Sequence, residues 1–505
     1  VTNAAGTTRI AGPDRLPIVS HYAPALPAAT QQRLARLARD IRDQECNLAT
    51  VPPLDPRLDA GFLDGAPCLL VEDHSGILYA HERGSDITYT YRALVLGTDG
   101  DLLAVQGRRV PAFEQYCRET LGLGAVQVLV PAVPDPRRAP SLACAEDPSF
   151  VAAVASAARR GGGLNLVPYM ATGGAWRLAG CIARRAGVPV RVAGPPPNLT
   201  RQANDKTWFA RCARQVLGPR AVPPCDAVYG LVGLVGHLRR RARASRSVAL
   251  KLTHSAASGG NLVFNSSEIT GLSTVDLRNR LLQAMHASGW REDYPIQVTV
   301  WEEPLVGSPS VQLWIPLARD GRPIVEGIFD QEVTGRIARF SGAVPSTLPS
   351  QWRERIALEA LQLATLFQQL GYFGRCSFDS VVFGPDLARA ELHWVECNGR
   401  WGGVSLPMTL ANRLSGDWSR GGFVIASRRS PTSAVRGTAG FLDRYADHLY
   451  RPESGEGGAI LLCPGRLESG SGVDLLFLAA SHEEARERCD ALLARVTAPA
   501  NSDPA

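Results

Sequence analysis

His393-Trp-Val-Glu396-Cys-Asn398-Gly-Arg400-Trp-Gly-Gly403 is the stretch of this 505-residue chain on which its reading turns. On a strand, side chains two apart share a face, so Glu396, Asn398 and Arg400 are expected to point the same way. The preceding run Ser377-Phe-Asp379-Ser-Val-Val-Phe383 reads as a second strand, joined to the first across the turn Gly384-Pro-Asp386. A hairpin of these two strands brings Asp379 alongside Glu396. Two carboxylates plus the Asn398 amide oxygen suit Mg²⁺, a hard cation that takes oxygen ligands and keeps room for waters and substrate phosphates. Arg400, beside them, can hold a phosphoryl group in transfer. The competing reading is a polar strand face held by a Glu–Arg pair, which leaves Asn398 and the following Trp-Gly-Gly without a role.

Working outward, the chain has 54 Lys and Arg together, of which only Lys206 and Lys251 are lysine. A composition that replaces Lys by Arg so thoroughly makes the two survivors candidates for positions where a planar fork will not serve. A compact ammonium on a flexible stem can reach between phosphates as a point charge. Lys251 lies in an expected strand, 248–252, just before Thr253-His-Ser-Ala-Ala-Ser258-Gly259-Gly260-Asn261. Such a small, glycine-bearing loop can turn successive N–H groups inward as an anion nest. It does not fit the G-x-x-x-x-G-K-[ST] pattern. Glu302-Glu303-Pro304-Leu305 closes another expected strand, 296–301, where two acids beside an apolar segment can frame a purine and its ribose. Solvated surface acids are the alternative there, and an ordinary glycine turn is the alternative at the loop.

The rest of the chain frames these motifs. Helical spacing marks residues 28–46, 175–186, 205–217, 274–287 and 351–370, and short strand-like runs mark 67–72, 87–96 and 125–131. A strand at 165–170, the loop Ala171-Thr-Gly-Gly174, a helix and a strand at 187–192 make a parallel βαβ unit. That loop lacks the full dinucleotide-binding glycine spacing. Arg319-Asp-Gly-Arg322 is an expected hairpin turn, and strands at 459–463 and 474–479 precede a final helix. Eleven scattered cysteines with no C-x-x-C pair read as buried reduced thiols. A net charge of +6 is mild, and the basic run 237–246 reads as a solvated helix end, so nucleic acid is not the expected partner. No segment approaches the roughly 20 apolar residues of a membrane span, and no signal-peptide pattern opens the chain, so a cytoplasmic protein with no membrane partner is expected.

Taken in order, Asn204-Asp-Lys206 opening a helix, Lys251 before Ser258-Gly-Gly-Asn261, Glu302-Glu303, Asp379 and Glu396-Cys-Asn-Gly-Arg400 resemble the ATP-grasp ligases. More narrowly, Val167-Pro-Tyr-Met-Ala-Thr, the Asn204-Asp-Lys segment and an added C-terminal unit resemble the pheganomycin-type peptide ligases, which join a small amidino- or guanidino-bearing amino-acid derivative to a peptide N-terminus. The resemblance implies an α/β fold: a flexible tail at 1–15 and a Rossmann-like pre-ATP-grasp domain at 16–200. An ATP-grasp domain at 201–425 follows (lid about 248–303, core about 304–425), then a small α/β C-terminal domain at 431–505. It implies ATP and Mg²⁺ as cofactors, a small carboxylate donor, an amine or peptide acceptor and a homodimer. Lys206 and Lys251 would contact phosphates, with Lys251 and Arg400 in catalytic roles, and Ser258, Gly259, Gly260 and Asn261 would form the flap. Glu302, Glu303 and Leu305 would form the adenine hinge. Asp379, Glu396 and Asn398 would hold the metal. The family's acidic ribose contact has no counterpart in Gly307-Ser-Pro-Ser-Val311, which leaves Glu303 or Gln312 for that part. His254 and Gln331 are candidate substrate contacts, with structural roles as the alternative. A carboxylase making carboxyphosphate and a non-catalytic ATP-binding scaffold are the competing functions.

Overall fold

The computed structural model describes residues 8–9, 16–22, 24–78, 88–132, 138–256, 258–429 and 437–497. The expected tail at 1–15 therefore lies, apart from Thr8–Arg9, outside the described residues.

The N-terminal part is built on a wholly parallel sheet of six strands. Their order is Leu58–Ala60, Val190–Val192, Leu164–Pro168, Cys68–Val71, Leu102–Ala104 and Gln127–Leu129. Its central strands are mostly apolar because helices cover both faces, and Leu69, Val71, Leu103, Leu164 and Leu166 are all essentially inaccessible. The expected βαβ unit is present. Thr172 caps the helix Gly173–Ala186 by accepting from Ala175 N, and Gly187, at φ +73°, ends it in the left-handed conformation that glycine adopts without strain. The run 87–96 departs from expectation. Arg92–Leu96 is a 3₁₀ helix with Ala93, Leu94, Val95 and Leu96 buried, and Ile87 lies outside the described residues. A short, fully buried apolar run carries no periodicity that separates strand from helix.

A four-stranded antiparallel sheet follows, in the order Asn261–Asn265, Ser247–Leu252, Ile296–Val300 and Cys225–Val228. Val248, Leu250 and Leu252 face the helices Leu231–Ala242 and Thr274–Ala287 in one apolar cluster. Strict alternation then turns Ala249 and Lys251 to the opposite face, toward the rest of the molecule.

The largest sheet is antiparallel and has nine strands. From one edge run Leu305–Gly307, Gly374–Phe383, Pro309–Ile315, Ile324–Thr334 and Arg339–Pro345. Gly422–Arg429, Gly472–Ala479 and Gly458–Leu461 complete the row, while Glu391–Asn398 pairs with Gly374–Phe383 off this row. The expected turn at 319–322 joins two of its strands. The long helix Ser350–Gln369 lies against the sheet, burying Ile356, Leu363, Leu366 and Phe367 with Phe209 and Phe378. The tail's two strands add to the same sheet through Gly422–Arg429, and the final helix His482–Thr497 covers them. No helix among the described residues is long and apolar enough to cross a membrane.

Candidate active site

The hairpin of Gly374–Phe383 and Glu391–Asn398 places Asp379 directly opposite Glu396 and Ser377 opposite Asn398. A register shift follows, because Ser380 pairs with Trp394, so Val395 is an extra residue. Such a bulge reverses the alternation beyond it. Trp394 therefore turns inward onto Phe378, and His393 joins Glu396 on the outer face. Strict alternation along the sequence would put His393 on the opposite side, so only the bulge brings it to this face. Its Nδ1 lies 2.8 Å from Oε1 of Glu302 and its ring packs on Phe383, so the acid expected at the hinge is held by an imidazole. Glu303 and Leu305 are exposed beside it.

Lys206 opens the helix Lys206–Leu217, whose N-terminus is capped by Asp205 accepting from Thr207 N and Trp208 N. Its ammonium is buried and lies 2.7 Å from Oε2 of Glu396. It also donates to the carbonyl and hydroxyl oxygens of Ser255 in the glycine loop, both at 3.2 Å. Lys251 is 9 % exposed and sits over the Trp301 ring, 5.6 Å from its centroid. Among the described residues its ammonium has no hydrogen bond and no ion pair. Burial pushes its pKa down, and the negative charge of Glu396 only partly opposes this against the repulsion of Lys206.

The loop that follows Lys251 is a tight return. Leu252 N donates to Gly260 O and Asn261 N donates to Ser258 O, so Lys251 and Asn261 face each other across the strand pair. A Cβ on Gly260 would stand 2.5 Å from Ser255 Cβ and 2.9 Å from Leu252 Cβ, so this approach requires glycine. Ser258, at φ +62°, donates to the carbonyl of Ala338, and among the described residues the buried Asn261 amide oxygen has no partner. His254 lies within this loop, and its carbonyl accepts from Leu78 N.

Arg400 lies two residues past the strand end and is 8 % exposed. Its Nε donates to the Tyr169 hydroxyl at 3.3 Å, one terminal nitrogen to Asn204 Oδ1 and the other to Asn398 Oδ1. Asn398 in turn donates its Nδ2 to Asp379 at 2.8 Å. Ser310 donates to the same carboxylate at 2.6 Å, while Gln312 donates to Ser310 Oγ. Gln312, 1 % exposed, lies on the same face of the sheet as Ser310 and Asp379.

Burial and the adjacent Glu396 charge raise the Asp379 pKa to about 6, against the hydrogen bonds it accepts. Burial acts on Glu396 too, but the Lys206 ammonium outweighs it and holds the carboxyl below its usual range. A carboxylate pair facing the same side, one of them short of positive charge, suits a divalent cation. The described residues contain no group of three or more His, Cys, Asp and Glu that could hold a metal, and the Asn398 oxygen accepts from Arg400 with one of its two lone pairs. Asp379, Glu396 and the second lone pair of Asn398 face the same site, and further oxygens would come from water and phosphate.

Residues 90–188 match the family model of the Pre ATP-grasp domain. No curated protein matches the chain by sequence. Among solved structures, an N5-carboxyaminoimidazole ribonucleotide synthetase in complex with ADP is similar over 86 % of this chain and 98 % of its own, at 11 % identity and TM-score 0.53. The biotin carboxylase of Campylobacter jejuni, in complex with β-γ-ATP, is similar over 85 % and 91 % at 12 % identity and TM-score 0.52. The biotin carboxylase domain of Hydrogenobacter thermophilus 2-oxoglutarate carboxylase, with MgADP and bicarbonate, is similar over 85 % and 90 % at 14 % identity and TM-score 0.50. The parallel six-stranded sheet, the four-stranded antiparallel sheet and the large antiparallel sheet are together the ATP-grasp fold preceded by a pre-ATP-grasp domain.

Proposed function

We propose that this protein is an ATP-dependent carboxylate–amine ligase. The observation that carries the reading is the Lys251 ammonium, buried and without an ion pair among the described residues, beside Lys206 and a glycine loop. An unpaired buried cation is costly unless an anion completes it. A nucleotide triphosphate supplies that anion, and the bound nucleotides of the similar structures agree with it. Asp379 and Glu396 would hold Mg²⁺, which when bound would neutralise charge on the phosphates.

In the reaction, a carboxylate oxygen of the donor acid attacks the γ-phosphorus in line. The bond from that phosphorus to the β–γ bridging oxygen breaks, and ADP leaves with its electron pair. The resulting acyl-phosphate is then attacked at its carbonyl carbon by an amine. The carbon–oxygen bond breaks, inorganic phosphate departs with an oxygen that began in the acid, and the amine proton passes to solvent. Lys206 and Lys251 balance charge on the phosphates, Arg400 orients the phosphoryl group, and the loop 253–261 excludes water that would hydrolyse the acyl-phosphate. Catalysis of this kind rests on positioning and charge, and no nucleophilic side chain is required.

The finer reading rests on the resemblance to the pheganomycin-type ligases: a small amino-acid-like acid, amidino- or guanidino-bearing, joined to a peptide amine. Screening candidate acids and peptides for ADP release, with mass spectrometry of the product, tests it. Release that needs both an acid and an amine, with a product lighter than their sum by one water, supports the ligase. The likeness to carboxylases favours a second reading, and ADP release driven by bicarbonate without any amine would establish that one instead.

A further inference from the structure

Arg400 lies past the end of its strand, which closes at Asn398, so its side-chain contacts set its direction. One of its three side-chain partners is Asn204, 196 residues away in sequence. Asn204 is 7 % exposed. Its Oδ1 accepts from Gly399 N at 3.1 Å and from a terminal nitrogen of Arg400. Its Nδ2 donates to Gly399 O at 3.3 Å and to Thr200 O at 2.7 Å. Two lone pairs and two hydrogens are all that a side-chain amide has, so every valence is used. The approach is close enough to need Gly399, where a Cβ would stand 2.9 Å from Asn204 Nδ2 and 3.0 Å from Ala203 Cβ.

The same tripeptide makes a second connection. Lys206, two residues on, holds Glu396. Residues 204–206 therefore grip the strand end at two points, one through each outer residue, while Asp205 between them caps the helix. Of the five N–H groups of a guanidinium, Tyr169, Asn204 and Asn398 take three. One N–H on each terminal nitrogen remains for a two-oxygen anion.

We infer that Asn204 is a positioning residue that fixes the Arg400 guanidinium for the phosphoryl group. This rests on the ligase reading above. It predicts an effect on turnover with little effect on nucleotide binding, because Asn204 supports Arg400 and touches neither phosphate-binding lysine through its side chain.

The test is steady-state ADP release by the full chain with MgATP and the best acid–amine pair from the screen, or with water as acceptor. Asn204→Ala should lower kcat about 100-fold, the scale of a misplaced catalytic group, with KM for ATP within about twofold. Asn204→Asp keeps the oxygen that serves Gly399 N and Arg400 but loses both donations to carbonyls, so it should recover part of the rate lost in the Ala variant. Arg400→Ala and the Arg400→Ala/Asn204→Ala double variant should be equally slow, since the second change then removes support from a group already gone. A purely structural part for Asn204 would give additive losses, or equal losses in the Ala and Asp variants in step with their folded fraction, and either result overturns the inference. Wild-type ADP release with an undiminished Asn204→Ala variant overturns it alone. No ADP from the wild type overturns the ligase reading and the inference together.

Discussion

At the scale of single residues, the site is an arrangement of two lysines, two carboxylates and one arginine whose charges are only partly matched. Lys206 is paired with Glu396, whereas Lys251 is buried with no ion pair among the described residues. Replacing Lys251 with Met should lower ADP formation about 100-fold, the cost of losing one well-placed group that stabilises developing charge. Lys251→Arg should be nearly as poor, because a planar fork does not occupy the gap beside Trp301 as an ammonium does. Steady-state ADP assays on both variants check this. Lys206 gives a prediction of opposite sign. Lys206→Met frees Glu396, so Mn²⁺ in the absence of nucleotide should bind about tenfold more tightly by electron paramagnetic resonance, while MgATP binding weakens. The lysines could be singled out from composition because so few remain, and Asp379 opposite Glu396 followed from hairpin logic. His393 and Ser310 could not. The first depends on the extra residue Val395, and the second is a small hydroxyl that gains meaning only from its 2.6 Å contact with Asp379.

At the scale of elements, the glycine loop and the hairpin bulge place the chemistry. The loop packs so closely at Gly260 that a methyl group there must displace Ser255, which is the loop's contact with Lys206. Gly260→Ala should therefore raise KM for ATP about tenfold, in the range of a mild overpacking penalty, with the thermal midpoint little changed. Equal KM values in the two proteins would separate the loop from nucleotide binding. Long amphipathic helices and the βαβ unit were legible because their periodicity and caps are local. Arg92–Leu96 was not, since its four buried apolar residues satisfy strand and helix alike. The partners of the tail's strands were equally hidden. Gly472–Ala479 looks like any apolar strand, and only its pairing with Gly422–Arg429 shows that it extends the large sheet.

At the scale of the whole molecule, the N-terminal segment is tied to the large sheet. His21 Nε2 lies 3.2 Å from Asp417 Oδ1, His21 packs edge-on against Trp418, and Asn412 donates to Pro17 O. Burial alone would raise the Asp417 pKa, but the nearby His21 imidazole and hydrogen bonds from Ser419 bring it down to about 2. A carboxyl depressed in the folded state adds stability above its unfolded pKa of about 4, and that contribution is lost as pH falls toward about 2. Asp417→Asn should therefore be less stable at neutral pH and show a shallower loss between about pH 4 and 2 in acid unfolding followed by circular dichroism. The three sheets converge on one site: Tyr169 just past a strand of the parallel sheet, Lys251 from the four-stranded sheet and Asp379 from the large one. The central claim is that this site activates a carboxylate as an acyl-phosphate. Its most direct test uses the active acid labelled with ¹⁸O in its carboxylate, followed by ³¹P magnetic resonance of the phosphate released. Transfer of one ¹⁸O into phosphate for each ADP formed is the predicted result. Phosphate free of ¹⁸O while ADP and amide accumulate would contradict it.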